Sequence, residues 1–138
     1  RDLLEVAALF HDIGKVQWPR RLATKERLSP EDWTVVRAHP KAGAYIVREH
    51  WPDVPTEVVR VIEEHHERTD GRGYPRGLTL RYMHPLSRIV AAVEAFVAMT
   101  EERPYRPRPY TALEALNELR RDGFCPVVVA ALAGVVIP

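Results

Sequence analysis

The segment 86–99 is the part of this sequence that most limits how the chain can fold. It is strongly apolar with helical spacing, and Glu94 is its only acidic residue. The residues three and four positions from Glu94 are all apolar: Val90, Ala91, Val97 and Ala98. A carboxylate buried alone is costly, because it loses its hydration. The pattern therefore predicts a core helix whose Glu94 meets a cation or a metal, or has a raised pKa; the alternative is a Glu at the core edge, paired with a surface arginine.

Helical signals also dominate the rest of the chain. Ser29 before Pro30 has the form of a helix N-cap, and Thr111 with Glu114 forms a capping box. Gly14 is expected to end the first helix, and the segment 16–28 to be an exposed connection. No convincing strand pattern and no internal repeat are found. The sequence predicts an all-α protein, a single bundle of about six or seven helices.

Composition narrows the function classes. The 138 residues fit one domain, and 46% are hydrophobic, which is enough for a core. The net charge of +1 argues against binding a nucleic-acid polymer or a membrane surface. The single cysteine, Cys125, favours a reducing cytoplasm, and no apolar run is long enough to span a bilayer.

Six residues of metal-ligand type lie at the ends or in the interior of predicted helices: His11, Asp12, His39, His65, His66 and Glu94. Each alone has an ordinary structural explanation, such as a polar helix end. Together they would form a site of nitrogen and carboxylate ligands, which suits iron, manganese or zinc. Two metals about 3.5–4 Å apart favour phosphoryl chemistry. Lys15 could neutralise phosphate charge, and Arg103 and Arg106 could bind phosphate or a purine edge.

The chain resembles the HD-GYP family of the HD phosphohydrolase superfamily. Five motifs carry the resemblance, in family order and at close to family spacing: His11-Asp12-Ile13-Gly14-Lys15, His39-Pro40, His65-His66-Glu67, Asp70-Gly71-Arg72-Gly73-Tyr74-Pro75 and Arg103-Pro104-Tyr105-Arg106. The resemblance implies an HD-type helical bundle. It also implies a phosphodiesterase that hydrolyses cyclic di-GMP to pGpG, GMP or both through a metal-bound hydroxide, with two or three divalent ions, iron or manganese.

The resemblance also assigns roles to single residues. The implied metal ligands are His11, Asp12, His39, His65, His66 and Glu94, with Asp12 bridging. Asp12 and Lys15 are the implied catalytic residues. The implied substrate-binding residues are Lys15, Tyr74, Arg103 and Arg106.

The family context adds expectations about the whole protein. Residues 1–138 are expected to be an HD-GYP domain lacking its N-terminal helix or helices, cut from a longer protein with an upstream sensor or receiver domain. The implied partners are cyclic di-GMP or a related cyclic dinucleotide, a diguanylate cyclase (GGDEF) domain at the Gly-Tyr-Pro loop, and a second copy in a homodimer. The expected location is the cytoplasm, with a parent protein that can be membrane-anchored.

Two departures keep other functions open. Glu94 stands where the family usually has a metal-binding aspartate, and Val97 where a second aspartate is common. These changes favour, as an alternative, a degenerate module that binds cyclic di-GMP or a partner protein without turnover. A further alternative is an HD phosphohydrolase of another cyclic nucleotide.

Overall fold

A computed structural model describes residues 2–25 and 27–137 of the chain, and helices make up its framework. In this part of the chain there are seven α-helices: α1 (Leu3–Phe10), α2 (Pro30–Arg37), α3 (His39–His50), α4 (Thr56–Glu64), α5 (Pro85–Thr100), α6 (Ala112–Arg121) and α7 (Pro126–Val136). Three short 3-10 helices join them: Ile13–Gln17, Arg20–Thr24 and Leu80–Tyr82. The predicted all-α class is confirmed, and the only extended pairing among the described residues is one isolated bridge, between Asp70 and Thr79.

Helix α5 is apolar on most sides because two hydrophobic clusters pack against it. Val90 belongs to a cluster with residues of α1, α3 and α4, whereas Ala91 and Ala92 belong to a second cluster with residues of α6 and α7. A helix buried between two cores has no wide polar face. The apolar segment predicted to lie in the core is therefore the central helix, and its position carries Glu94 between the other helices.

Local signals fix several helix boundaries. The Ser29 hydroxyl accepts a hydrogen bond from the Asp32 backbone N–H at 3.1 Å, and Asp32 Oδ2 accepts one from the Ser29 N–H at 3.0 Å. Thr111 and Glu114 form the same reciprocal pair at the start of α6. Both predicted capping motifs are confirmed, because each satisfies backbone donors that the first helical turn leaves unpaired.

The prediction for Gly14 was wrong. Helix α1 already ends at Phe10, and Gly14 lies in the following 3-10 helix without a positive φ. A Cβ atom at this position would lie 2.0 Å from the His39 carbonyl oxygen and 2.8 Å from the Gly43 nitrogen. Gly14 therefore serves close packing of two backbones and does not terminate a helix.

The segment 16–28 is also more ordered than the sequence suggested. Leu22 is 8% exposed, and Arg21 and Lys25 both pair with Asp32, which is 1% exposed. Hydrogen bonds from Lys25 and from the Ser29 backbone hold the pKa of Asp32 below its usual range. The buried carboxylate thus ties the connection to the start of α2.

The first helix begins at Leu3, and the last helix ends at Val136. Arg1 and Pro138 themselves lie outside the described residues. No helix in the described ranges has both the length and the apolar character needed to cross a membrane.

Candidate metal centre

Four structural elements bring the six predicted ligands together. His11 and Asp12 follow α1, His39 is the first residue of α3, and His65 and His66 follow the last residue of α4. Glu94 extends from the middle of α5. The helical constraint that separates adjacent side chains by about 100° does not hold for His65 and His66, because α4 has already ended. Their rings lie side by side, with centroids 4.4 Å apart.

Asp12 is the centre of the cluster. Its Oδ1 lies 3.3 Å from His39 Nε2 and 3.4 Å from His65 Nε2. Its Oδ2 lies 3.2 Å from His11 Nε2 and 3.1 Å from the Lys15 ammonium. Two overlapping ligand groups therefore share this carboxylate: Asp12 with His39, His65 and His66, and Asp12 with His11 and Glu94.

Glu94 joins the two groups on the opposite side. Its two oxygens lie 3.7 Å from His11 Nε2 and 3.9 Å from His66 Nε2, and its side chain is 23% exposed. The sequence predicted an ionic partner for this carboxylate, and the partners found here are imidazoles. Burial alone would raise the pKa of Glu94, but these histidines outweigh burial and lower it.

A repeated hydrogen bond sets the direction of three imidazoles. Nδ1 of His11 donates to the Ala8 carbonyl at 2.6 Å, Nδ1 of His39 to Val36 at 2.7 Å, and Nδ1 of His65 to Ile62 at 2.8 Å. Each acceptor is a carbonyl near the C-terminal end of a helix, and that of Val36 also accepts from the Ala38 backbone N–H. In a neutral imidazole the remaining nitrogen, Nε2, then carries a lone pair that points into the cluster.

These orphaned atoms fit a bound cation. His39 Nε2 and His65 Nε2 are 3.0 Å apart, and two lone pairs facing each other repel unless a positive charge lies among them. His11 Nε2 and Asp12 Oδ1 are buried and have no hydrogen-bond partner among the described residues. Imidazole nitrogens and carboxylate oxygens are the donor types that iron, manganese and zinc accept. The residues present therefore fit a divalent metal centre.

The pKa shifts of Asp12 and His66 favour the same use. Burial opposes a charge on His11, but the nearby Asp12 and Glu94 carboxylates prevail and raise its pKa to about 10, so that a metal bound at His11 would displace a proton. Burial also works against ionised Asp12, yet contacts with the surrounding histidines drive its pKa far below the usual range. Burial lowers the pKa of His66 to about 3, so this imidazole is neutral. A neutral imidazole and an ionised carboxylate are the forms that bind metals.

The loop after α4 covers one side of the cluster. The Tyr74 ring stacks on the His66 ring with centroids 4.9 Å apart and planes 10° apart. Its backbone N–H donates to the His66 carbonyl at 3.1 Å. Burial, the largest contribution, raises the pKa of the Tyr74 hydroxyl to about 12. Gly73 permits this close return, since a Cβ atom there would lie 2.4 Å from the Arg68 nitrogen.

Two buried carboxylates hold this loop, and the sequence did not identify them. Glu67, 1% exposed, accepts hydrogen bonds from the backbone N–H groups of Arg76 at 2.7 Å and Leu78 at 2.8 Å. Glu64 is also 1% exposed, and it accepts from the His84 N–H and from Arg60 Nε, each at 2.8 Å. The sequence alone favours a solvated acid here, and that expectation is wrong because the His84 donor lies 20 residues further along the chain. The only sequence signal was the position of both acids beside the paired histidines.

We expect the replacement Glu67→Ala to destabilise the fold by roughly 3 kcal/mol, because it leaves two loop N–H donors without their charged acceptor. Urea unfolding measures the loss, and amide hydrogen exchange should accelerate at residues 73–78. Glu49→Ala, at an exposed position of α3, is the matched control and should change stability by less than about 0.5 kcal/mol. Equal stability of the two variants would contradict the role of Glu67.

A cleft of about 620 Å³ adjoins the cluster on the side of His11. Lys15 and Arg103 line it, together with Tyr105 and an apolar wall from α1 and α5. The Lys15 ammonium also lies 5.1 Å from the centroid of the Trp18 ring. The cleft therefore combines positive charge, an aromatic ring and the ligand cluster.

The structure does not bring Arg106 into this cleft. Its guanidinium donates to the Met99 carbonyl at 3.0 Å and to the Ala98 carbonyl at 2.5 Å. Both carbonyls belong to the last turn of α5, where they have no partner within the helix. Arg106 thus caps α5, and its predicted role in substrate binding stays a prediction.

Sequence comparisons place these residues in a known group. The family model described as "HD domain" matches residues 1–123. A cyclic di-GMP phosphodiesterase of Thermotoga maritima is 35% identical over 93% of this chain and 36% of its own length. A cyclic di-GMP phosphodiesterase of Pseudomonas aeruginosa is 36% identical over 83% of this chain and 27% of its own length. A 3'3'-cGAMP-specific phosphodiesterase of Vibrio cholerae is 32% identical over 88% of this chain and 28% of its own length.

A solved structure has the same fold. It is described as an HDG"Y"P protein from Bdellovibrio bacteriovorus, is 28% identical, and matches with a TM-score of 0.77 over 99% of this chain and 44% of its own. The chain spans about a third of the length of the curated relatives it matches.

Proposed function

The chain belongs to the HD domain family, as its motifs predicted, and from that premise we propose that it is a metal-dependent phosphodiesterase of cyclic dinucleotides. The observation that supports this most strongly is the convergence of four imidazoles on the half-buried Asp12 carboxylate, beside a cleft that Lys15 and Arg103 line. The substrate class follows from the named activities of the relatives, which act on cyclic di-GMP or 3'3'-cGAMP.

The ligand geometry supports a centre of two ions. His39, His65, His66 and Asp12 would hold one, and His11, Asp12 and Glu94 the other, so that Asp12 bridges both. A pair of divalent ions, when bound, supplies a nucleophile at neutral pH and neutralises charge on the phosphate oxygens. The donor set suits iron, manganese or zinc, and the resemblance to the HD-GYP family favours iron or manganese. The residues beyond His11 and Glu94 in the cleft, such as Val93 and Val97, are apolar, which argues against a third ion there.

The other cleft residues would bind and orient the phosphate. The Lys15 ammonium, 3.1 Å from Asp12 Oδ2, can donate to a non-bridging phosphate oxygen beside the ions. The Trp18 ring limits where this ammonium can move. The Arg103 guanidinium donates to Glu101 at 3.0 Å and has further donors that can reach an anion in the cleft.

Hydrolysis of cyclic di-GMP would proceed one bond at a time. A water oxygen forms a new bond to phosphorus, the bond to the ribose 3'-oxygen breaks, and that oxygen leaves with a proton. The product is linear pGpG, and a second hydrolysis of the same kind gives two molecules of GMP. Because each step is the same chemistry, both products are expected from one site.

We expect the unsubstituted protein, purified without oxygen and supplied with iron or manganese, to convert cyclic di-GMP to pGpG, and His65→Ala to lose the activity by at least about a hundredfold. His65 is fully buried and its lone pair points into the cluster, so alanine removes a ligand without touching the surface. Chromatography of the nucleotides measures the products. His50→Ala, at an exposed histidine, is the matched control.

The assay also separates the alternatives. Undiminished hydrolysis by His65→Ala would refute the assigned centre. Nucleotide bound by the metal-loaded protein without any product would identify the degenerate binding module that Glu94 and Val97 motivate. Faster turnover of 3'3'-cGAMP than of cyclic di-GMP would assign the chain to that substrate.

We also propose the location and the partner domains that the family resemblance implies. The substrate is an intracellular messenger, which favours a cytoplasmic domain attached to an upstream sensor or receiver domain. A diguanylate cyclase domain at the Gly-Tyr-Pro loop and a homodimer are further proposals. Size-exclusion chromatography with light scattering tests the dimer, and co-purification with a diguanylate cyclase domain tests the partner.

A further inference from the structure

A row of aromatic rings and one guanidinium leads from the metal centre to the protein surface. Tyr74 stacks on His66, and the Arg37 guanidinium carbon lies 5.8 Å from the Tyr74 ring centroid. The same carbon lies 5.7 Å from the ring centroid of Trp33, which is 45% exposed on α2. Arg37 therefore stands between an exposed indole and the tyrosine that covers a proposed metal ligand.

Arg37 differs from the other arginines near the site, whose side chains cap a helix or form an ion pair. Arg106 caps α5, and Arg103 pairs with Glu101. Within residues 2–25 and 27–137, Arg37 has neither a hydrogen bond nor an ion pair, and its side chain is exposed. Contact with two rings restricts the guanidinium while its N–H edge stays open to solvent. It is a preorganised donor edge without an acceptor.

We propose that Arg37, Trp33 and Tyr74 form a subsite for a guanine base of the cyclic dinucleotide, an inference that rests on the function proposed above. Guanine presents two acceptors, O6 and N7, which match two parallel donors of an arginine. Adenine presents a donor, N6, in place of O6, and this donor opposes a guanidinium. The exposed Trp33 ring supplies a surface on which a base can stack.

The position agrees with the shape of such a substrate. A cyclic dinucleotide carries its two bases on two riboses at opposite ends of the phosphodiester ring, so each base can occupy a separate pocket. The large cleft borders the ligand cluster at His11 and Glu94, whereas Tyr74 and Arg37 border it at His66. A phosphate at the centre would thus leave one base for the cleft and the other for Arg37.

The variant Arg37→Gln tests this assignment, because a glutamine amide pairs with adenine N6 and N7 as arginine pairs with guanine. We expect the unsubstituted protein to bind cyclic di-GMP more tightly than cyclic di-AMP. Arg37→Gln should weaken the binding of cyclic di-GMP about 10-fold or more and remove the preference for cyclic di-GMP over cyclic di-AMP. Stopped-flow tryptophan fluorescence reads binding before hydrolysis, and Trp33→Phe should remove the part of the signal that arises at this subsite.

Arg120→Ala is the matched control, since it removes an exposed arginine of α6 whose side chain, among the described residues, donates a hydrogen bond only to Asn117. It should retain the preference for guanine. An unchanged preference in Arg37→Gln overturns the subsite, and continued hydrolysis in the same experiment leaves the proposed function standing. Failure of the unsubstituted, metal-loaded protein to bind cyclic di-GMP, 3'3'-cGAMP or cyclic di-AMP overturns both.

Discussion

Replacing Asp12 by alanine is expected to reduce bound metal from two ions to less than one per chain and to lower hydrolysis of cyclic di-GMP at least about a thousandfold. One oxygen of this carboxylate faces His39 and His65, and the other faces His11 and Lys15. A single substitution therefore removes a ligand from both proposed ions. Loss of a residue that only supports a metal ligand already costs about 10–100-fold, and loss of a shared ligand should cost more.

Two measurements check this result. Elemental analysis of the purified variant counts the metal, and chromatography of the nucleotides measures turnover, while circular dichroism confirms that the helices persist. Asp53→Ala, at an exposed position in the loop between α3 and α4, is the matched control and should keep both ions and full activity. An Asp12→Ala protein that retains two ions per chain would show that Asp12 is not the bridging ligand.

The replacement Gly14→Ala is expected to destabilise the protein by about 3 kcal/mol or more and to weaken metal binding as well. The added Cβ would meet the His39 carbonyl oxygen at 2.0 Å and the Gly43 nitrogen at 2.8 Å. Both are backbone atoms of α3, so no flexible side chain can move aside, and overpacking of this kind is strongly destabilising. Any shift that relieves the clash separates Asp12 from His39, two residues that must converge.

The same substitution at Gly134 provides a matched control. Gly134 lies within α7, and a Cβ atom there would meet nothing within 4 Å. Alanine has the higher helix propensity, so Gly134→Ala should raise stability by up to about 1 kcal/mol. Urea unfolding of both variants measures the two changes. Equal stability of Gly14→Ala and the unsubstituted protein would contradict the close contact of the two backbones.

Much of the fold could be predicted from the sequence because its signals are local. The N-caps at Ser29 and Thr111 act over three residues, and the structure has both. The apolar segment around Glu94 also predicted a central helix, which α5 is. The environment of single residues could not be predicted: in the sequence, Glu64 and Glu67 have the pattern of solvated acids, whereas in the structure the loop after α4 covers them. The oxygens of Glu67 accept from backbone donors 9 and 11 residues away, and one oxygen of Glu64 accepts from a backbone donor 20 residues away.

The candidate site shows the same division. The residue types and their order predicted the candidate ligands, which the structure brings together, since few side chains bind metals and the family motifs preserve their sequence. The sequence had no signal for the hydrogen bonds from His11, His39 and His65 to helix-end carbonyls, because these depend on where each helix stops. It also gave Arg106 the same expected role as Arg103, although one caps a helix and the other lines the cleft.

The sequence by itself determined the helical class, the helix starts at caps and prolines, and the residue types of the candidate ligand set. Only the tertiary structure decided that Asp12 is shared between two ligand groups, that Glu94 spans from His11 to His66, and that Arg37 stands between Trp33 and Tyr74. The physical reason is the separation along the chain between the groups that interact. Capping and periodicity depend on neighbours within one or two turns, whereas the distance between two charged atoms depends on how separate helices pack.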